Sequence, residues 1–187
     1  MEQLTLALGA RYTYISAESD KIQSPITSDV ISLDRTWNNV ALALEGIYAL
    51  SHNASAYLTV AEGFRAPNFS DLSRFDSARS NEFEVPSTNL EPEQYLSTEL
   101  GLRLAYQSWK LNTGFYYTDI EDQIVRFPTG TVNFDGEFEI SKANATSGEV
   151  YGWEFDFLAQ LNEQWSFRIF GSLNYGETFQ FPESLSE

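Results

Sequence analysis

Apolar residues recur at every second position through most of this chain. Over residues 3–15, Leu4, Leu6, Leu8, Ala10, Tyr12 and Tyr14 share one parity, while Gln3, Thr5, Ala7, Gly9, Arg11 and Thr13 share the other. That is the period of a strand with one greasy face and one polar or small face. Val40, Leu42, Leu44, Tyr48 and Leu50 oppose Ala41, Ala43 and Glu45 in the same way, with Gly46 as a gap in the apolar row. Leu96, Leu100, Leu102, Leu104 and Tyr106 oppose Ser97, Glu99, Gly101 and Arg103, and Leu111, Phe115 and Tyr117 oppose Lys110, Asn112 and Gly114. Further on, Trp153, Phe155 and Phe157 oppose Gly152, Glu154 and Asp156, and Phe167, Ile169, Leu173 and Tyr175 oppose Arg168, Ser172 and Asn174. The pattern is weaker over 56–60. It predicts about seven long strands, at 2–15, 35–50, 54–64, 95–106, 110–120, 148–160 and 165–177.

Charge identifies the two faces. Arg11, Glu45, Glu99, Arg103, Lys110, Glu154, Asp156 and Arg168 all fall on the polar parity. A charge facing hydrocarbon at mid-bilayer costs about 2–4 kcal/mol, whereas facing a wet lumen it costs little. The exceptions, Glu2, Glu62 and Asp119, lie at segment ends, where that penalty fades. Tyr12, Tyr14, Tyr48, Tyr106, Trp153 and Tyr175 sit on the apolar parity, as an aromatic girdle requires. A soluble β-sandwich also alternates, but its strands average about five or six residues. These run to about ten or more, the length that crosses a bilayer at a tilt. The expected fold is therefore all-β, an antiparallel up-and-down meander forming part of a transmembrane β-barrel.

The connections fit that reading. Links 51–53, 107–109 and 161–164 are tight, whereas 16–36, 65–94 and 121–147 are long and rich in Ser, Asn, Pro and acidic residues. Outer-membrane barrels alternate short periplasmic turns with long external loops. With an odd number of strands the first and last run the same way, so an antiparallel ring does not close between them. The tail 178–187 is expected to enter another external loop, and Met1 to lie within a longer chain. Residues 1–187 are expected to be one partial barrel with no separate second domain.

Composition removes other classes. A net charge of −16 repels a phosphate backbone, so no nucleic-acid partner is expected. With no cysteine and one histidine, His52, there is no disulfide framework and no ordinary transition-metal set, and no cofactor is expected. No apolar run of about 18 residues offers a membrane helix, and no secretion signal is visible. Glu154 with Asp156, or Glu121 with Asp122, could form an acid–base pair, the basis of an outer-membrane hydrolase reading. No nucleophile-and-histidine arrangement accompanies either pair, and the expectation is a protein that is not an enzyme. Asp29, Asp34, Asp71 and Asp76 could offer loop oxygens to calcium, but no calcium-loop spacing is present, and solvated acidic loops are the default. Arg65, Arg74 and Arg79, on or beside the longest loop, are candidate contacts for an anionic ligand. Arg65, at the rim, could instead pair with a neighbouring carboxylate.

Four segments in order carry a family resemblance: EGFRAPNFSDL from Glu62, NLEPEQYLSTELGLR over 89–103, FYYTDIEDQIVR over 115–126, and ANATSGEVYGWEFDF over 143–157. They resemble strand-exit and strand-return segments of the TonB-dependent outer-membrane receptors. The resemblance implies a C-terminal part of the wall of a plugged barrel of about 22 strands, without the plug and the last strands, in the outer membrane of a Gram-negative bacterium. It further implies active uptake of a scarce nutrient such as a ferric siderophore. The partners it implies are outer-membrane lipid, the receptor's own plug, a TonB-type energy-coupling protein and a small ligand such as an iron chelate. The matching positions are Phe64, Pro67, Leu90, Pro92, Glu93, Glu99, Gly101, Asn144, Gly152 and Glu154, all read as structural. Pro67 ends a strand, and Leu90, Pro92 and Glu93 guide the chain back into the wall. Gly101, Gly114 and Gly152 fall on the inward parity, where a missing side chain admits a close plug or lets the strand bend. The alternative is a small structural or porin-like outer-membrane barrel.

Overall fold

The computed structural model describes residues 3–23, 30–145 and 147–179. Glu2, Asp29 and the tail beyond Phe179 lie outside the described residues. In chain order the elements are β1 (Leu4–Gln23), β2 (Val30–Ser51), β3 (Ala54–Arg65), α1 (Phe69–Ser73), β4 (Asp76–Arg79), β5 (Glu82–Glu84), β6 (Glu93–Ala105), β7 (Trp109–Glu121), β8 (Ile124–Val132), β9 (Phe138–Asn144), β10 (Ser147–Gln160) and β11 (Ser166–Phe179). Seven of them form one sheet in the order β1-β2-β3-β6-β7-β10-β11, a meander in which each strand pairs antiparallel with its neighbours. These are the expected strands. The sheet is open, since β1 and β11 do not pair with each other among the described residues.

The register sets the two faces. Leu100 stands opposite Leu58 and Phe115, and Tyr151 opposite Tyr117 and Tyr175, so the apolar parity is continuous across strands. This face is bare: Leu8 is 85% exposed and Leu173 70%. Side chains this apolar and this accessible suit hydrocarbon rather than water. Aromatic rings collect at its ends, with Tyr117, Tyr151 and Tyr175 in a cross-strand row and Tyr106 stacked on Trp109 at 4.5 Å by the opposite turn. Trp153 lies deeper than a girdle position, and its indole N–H donates to Thr113 Oγ1 at 2.8 Å.

Two expectations are corrected. Residues 16–36 are mostly not a loop: β1 and β2 remain paired out to Gln23 and Val30. Above the membrane level the apolar row changes faces. Ile15, Ala17, Ile22, Ile31, Leu33 and Trp37 lie on the inner face, packed under protein rather than against lipid. Reading a single parity along the strand therefore stops too early.

The long segments 65–94 and 121–147 are also structured. They contribute α1 and a second sheet in the order β4-β5-β9-β8. Its central pair is parallel, with Glu82, Phe83 and Glu84 of one loop beside Phe138, Glu139 and Ile140 of the other. Strands this short carry too few residues for a period, and their partner lies in another loop. Asp122, at φ 55°, turns the chain from β7 into β8, and its carbonyl accepts from Asn144 Nδ2 at 2.6 Å. The resulting cap sits over the external ends of β3, β6, β7 and β10. Its small core, with Leu72 0% and Leu90 2% exposed, packs against Leu33 and Trp37 of the β1–β2 ribbon.

Leu100→Arg, on the bare face, should lower the unfolding free energy in lipid by about 2–4 kcal/mol, while Asn112→Arg on the opposite face costs less than about 1. Denaturant titration in vesicles measures both, and equal costs would refute the assignment of faces.

Candidate functional site

The rim is built from the EGFRAP and LEPE segments. Arg65 closes β3 and Glu93 opens β6 directly across the ladder. Pro67 follows Arg65 and has no N–H for the ladder, so the chain leaves the wall there. It enters α1 through Asn68, whose side chain accepts from Asp71 N–H while Asp71 accepts from Asn68 N–H, a reciprocal cap.

Arg65 then grips both sides of the excursion. Its Nε and Nη2 donate to the two oxygens of Glu93 at 2.5 and 2.7 Å, and Nη1 donates to Asp71 Oδ2 at 3.0 Å. Glu93, 4% exposed, also accepts from the Tyr95 hydroxyl and from Ile124 N–H, the latter at 2.8 Å. One carboxylate thus fastens β3, β6 and the start of β8. The network continues as Lys142 Nζ meets Asp71 at 3.1 Å and Glu84 at 3.0 Å, and Arg126 meets Glu84 at 3.3 Å and Glu82 at 2.9 Å. Burial opposes ionisation of Glu93, but hydrogen bonds from Arg65, Tyr95 and Ile124 outweigh it and hold its carboxyl below the usual range. Burial likewise opposes the charge on Asp71, and the Asn68 N–H, Lys142 and Arg65 outweigh it. Its hydrogen bond to Glu93 is the main reason Arg65 binds its proton more tightly than a free guanidinium.

The three candidate arginines are not brought together. Arg65 is engaged in this clamp, Arg74 lies 3.9 Å from Glu84, and Arg79 stands exposed at the end of β4. Phe64 and Leu90 join the cap core, Pro92 is half-buried beside Glu93, and Asn144 bridges the loops by accepting from Glu91 N–H and donating to Glu91 O. The acidic residues do not converge either: Asp71 is ion-paired, Asp34 lies on β2 and Asp76 opens β4.

On the inner wall the glycines also make room for neighbouring groups of the sheet itself. A Cβ on Gly101 would lie 2.4 Å from the Tyr57 ring, and one on Gly114 2.8 Å from the Tyr57 hydroxyl. One on Gly152 would lie 2.5 Å from the Leu173 carbonyl oxygen and 2.7 Å from the Tyr116 hydroxyl. The Tyr57 ring thus occupies space that Gly101 and Gly114 leave open. Tyr57 donates to Glu99 Oε1 at 2.5 Å, and the Arg103 guanidinium covers its ring at 4.3 Å. Sequence reasoning passed over Tyr57 because β3 alternates weakly. The usable signal is a tyrosine facing glycines in register on two successive strands, Tyr57 to Gly101 to Gly114. Tyr57 and Gly114, with Glu99, Glu154, Asp156, Arg168 and Phe170, line an open recess of about 390 Å³. Asp156 is held by Arg168 through contacts of 2.7 and 2.8 Å. Glu99 and Glu154 face the recess with no ion-pair partner among the described residues.

A family profile described as TonB dependent receptor-like, beta-barrel matches residues 1–185. No curated protein matches the sequence. Among solved structures, the copper transporter OprC superposes with a TM-score of 0.72 at 15% identity, over 94% of this chain and 27% of that one. The FrpB iron transporter from Neisseria meningitidis gives 0.68 at 15% identity, over 100% and 26%. The siderophore receptor PirA from Pseudomonas aeruginosa gives 0.65 at 21% identity, over 91% and 35%. The chain thus spans about a quarter to a third of the length of these structures, and at such identities the likeness is one of fold.

Arg65→Met should destabilise the wall and cap by about 2–3 kcal/mol, less than a fully buried pair because Arg65 keeps 39% accessibility. Because Glu93 and Asp71 titrate below their unfolded values, their contribution is complete above the ordinary carboxylate pKa and is lost as pH falls through the lower folded values. The Arg65→Met deficit should shrink along the same acidic range in denaturant titrations. Gly101→Ala should cost about 1–3 kcal/mol by displacing Tyr57, and Gly101→Ala/Tyr57→Ala less than the sum of the single changes. Strict additivity in that cycle would remove Tyr57 as the reason for Gly101.

Proposed function

The chain belongs to the TonB-dependent receptor β-barrel family, and from that membership we propose that residues 1–187 are one stretch of the wall of an active nutrient-uptake receptor, with no second domain. TonB-dependent receptors are transporters of the Gram-negative outer membrane, and this chain is an outer-membrane β-barrel wall. The observation that carries the reading is the division of its faces. Apolar side chains stand bare outside, while Glu99, which accepts from Tyr57, and Glu154 stand inside with no ion pair among the described residues. Two such carboxylates on a lumen wall call for a cationic partner inside the barrel, and the receptor's plug is the occupant that fits. The wall would hold the plug by charge until an energy-coupling protein pulls on it.

The cap forms part of the external mouth. A small anionic iron chelate is the substrate class favoured, supported by the resemblance to an iron transporter and a siderophore receptor. Arg79 and Arg74 are the cap's candidate contacts for it. Arg65 acts indirectly, by holding the mouth in shape.

In the receptor that carries this chain, Glu99→Gln/Glu154→Gln should lower energy-dependent uptake of a ferric siderophore about tenfold, with surface binding of the chelate unchanged. Uptake that persists after the membrane energy is collapsed would favour a passive porin. Copper uptake without iron-chelate uptake would overturn the substrate class but leave the receptor reading standing.

A further inference from the structure

The lipid-facing side of the wall carries a dent. On the outward parity, among leucines, stand three small residues: Ala10 on β1, Gly46 on β2 and Ala56 on β3. The register brings them close, since Gly46 lies between Leu6 and Leu58, Ala56 stands opposite Tyr48, and Ala10 opposite Leu42. They floor two joined troughs. The lower, about 330 Å³, is walled by Leu4, Leu6, Leu58 and Leu100, and the upper, about 560 Å³, by Leu8, Leu42 and Leu96, while Leu44 and Val60 line both. Nothing within the chain requires the dent. Gly46 has no positive φ, and a Cβ added there would meet Leu6 Cδ2 at 3.4 Å, an ordinary contact, unlike the Tyr57 ring that excludes one at Gly101.

At its external end the dent turns polar. Glu62 and Leu96 line the upper trough and also a third recess of about 270 Å³, where Asn39, Gln94, Asp119 and Glu121 join them. No lysine or arginine among the described residues lines it. Pairing between β2 and β3 ends here, at Ala43 and Ala61, and the Leu42 N–H donates to Glu62 Oε2 at 2.9 Å, which leaves Oε1 for another donor. Tyr12 and Val40, the next outward pair above Ala10 and Leu42, place this level at the membrane surface. From Leu42 down to Tyr48 the troughs follow about 20 Å of strand. At a tilt of about 45° that is about 14 Å of depth, a little over half of an apolar band about 25 Å tall. The dent therefore has the length of one leaflet's chains.

We propose that troughs and recess are one seat for a sugar-headed lipid of the external leaflet. An acyl chain lies over Gly46 and Ala56, and hydroxyl or amide N–H groups of the sugar donate to Glu62, Asp119 and Glu121. The side-chain amides of Asn39 and Gln94 both donate and accept, which suits a polyol. Three carboxylates without a lining cation repel a phosphate placed among them, and a choline headgroup has no N–H to offer. The external leaflet of a Gram-negative outer membrane is built of acylated amino sugars, which supply both the chain and the donors. A second copy of this wall fits less well, because Arg11, Arg103, Lys110 and Arg168 fall on the lumen parity and cannot meet those carboxylates from outside.

The test uses the receptor that carries this chain, in phosphatidylcholine vesicles doped with either lipid A or phosphatidylethanolamine. After transfer to a mild detergent, native mass spectrometry should count lipid A retained by the protein. Gly46→Leu, which fills the floor, should abolish that retention, and Ala56→Leu, which fills the same trough from β3, should repeat the loss. Glu62→Gln keeps an acceptor for the Leu42 N–H but removes the charge, and should weaken retention several-fold. Leu173→Phe, elsewhere on the lipid face, should leave it unchanged. Equal retention by the wild type and by both filled variants would overturn the seat. Phosphatidylethanolamine held in preference to lipid A, with the same dependence on Glu62, would overturn the sugar headgroup, and a dimer that Gly46→Leu dissociates would replace the lipid by a second copy. The seat needs only the wall's outward face, so passive uptake would defeat the receptor reading and leave it standing.

Discussion

A backbone N–H or carbonyl facing hydrocarbon has no water to turn to, so a wall in a bilayer must satisfy its main chain by its own ladder. The strand lengths, the uninterrupted meander and the division of faces follow from that requirement. The ladders from β3 through β6, β7 and β10 to β11 run along almost the whole of each strand. Where pairing does fail, between β2 and β3, Glu62 turns to the exposed Leu42 N–H. By strand parity Glu62 is a carboxylate on the lipid face. Its place at the end of a ladder explains it, since it supplies an acceptor where the wall has run out of one.

Above the membrane the organising group changes from backbone to side chain. Glu93 accepts from Arg65, Tyr95 and the Ile124 N–H, and Arg65 extends the contact to Asp71, Lys142 and Glu84. The charges alternate, so each buried carboxylate has a cation and each cation is shared. Two loops separated by two wall strands become one cap because these groups cannot be separated without leaving a charge buried alone. The inner wall applies a steric version of the same economy. Gly101 and Gly114 leave room for the Tyr57 ring, which presents its hydroxyl to Glu99.

The membrane-spanning wall was legible in the sequence because each of its residues answers to one of two environments, lipid or lumen. Leu4 to Tyr14 and Leu96 to Tyr106 keep one parity throughout, and Arg11, Glu99 and Arg168 keep the other. The rim motif was legible too: Arg65, Pro67, Leu90 and Glu93 fall at the strand exit and return. The upper ribbon was not, because Ile15, Leu33 and Trp37 are apolar on the inner face, where a cap replaces water as their surroundings. Nor was the short parallel pair Glu82–Glu84 with Phe138–Ile140, whose partners are distant in sequence.

By itself, then, the sequence determined the seven wall strands, their order and the side faced by the residues of their membrane-spanning stretch, because a period of two meeting two solvents leaves a continuous record along that part of the chain. Only the tertiary structure decided which loop meets which, which carboxylate Arg65 holds, and why Gly101 must be glycine. Those depend on contacts between segments far apart in sequence, where neither residue type nor spacing specifies the partner.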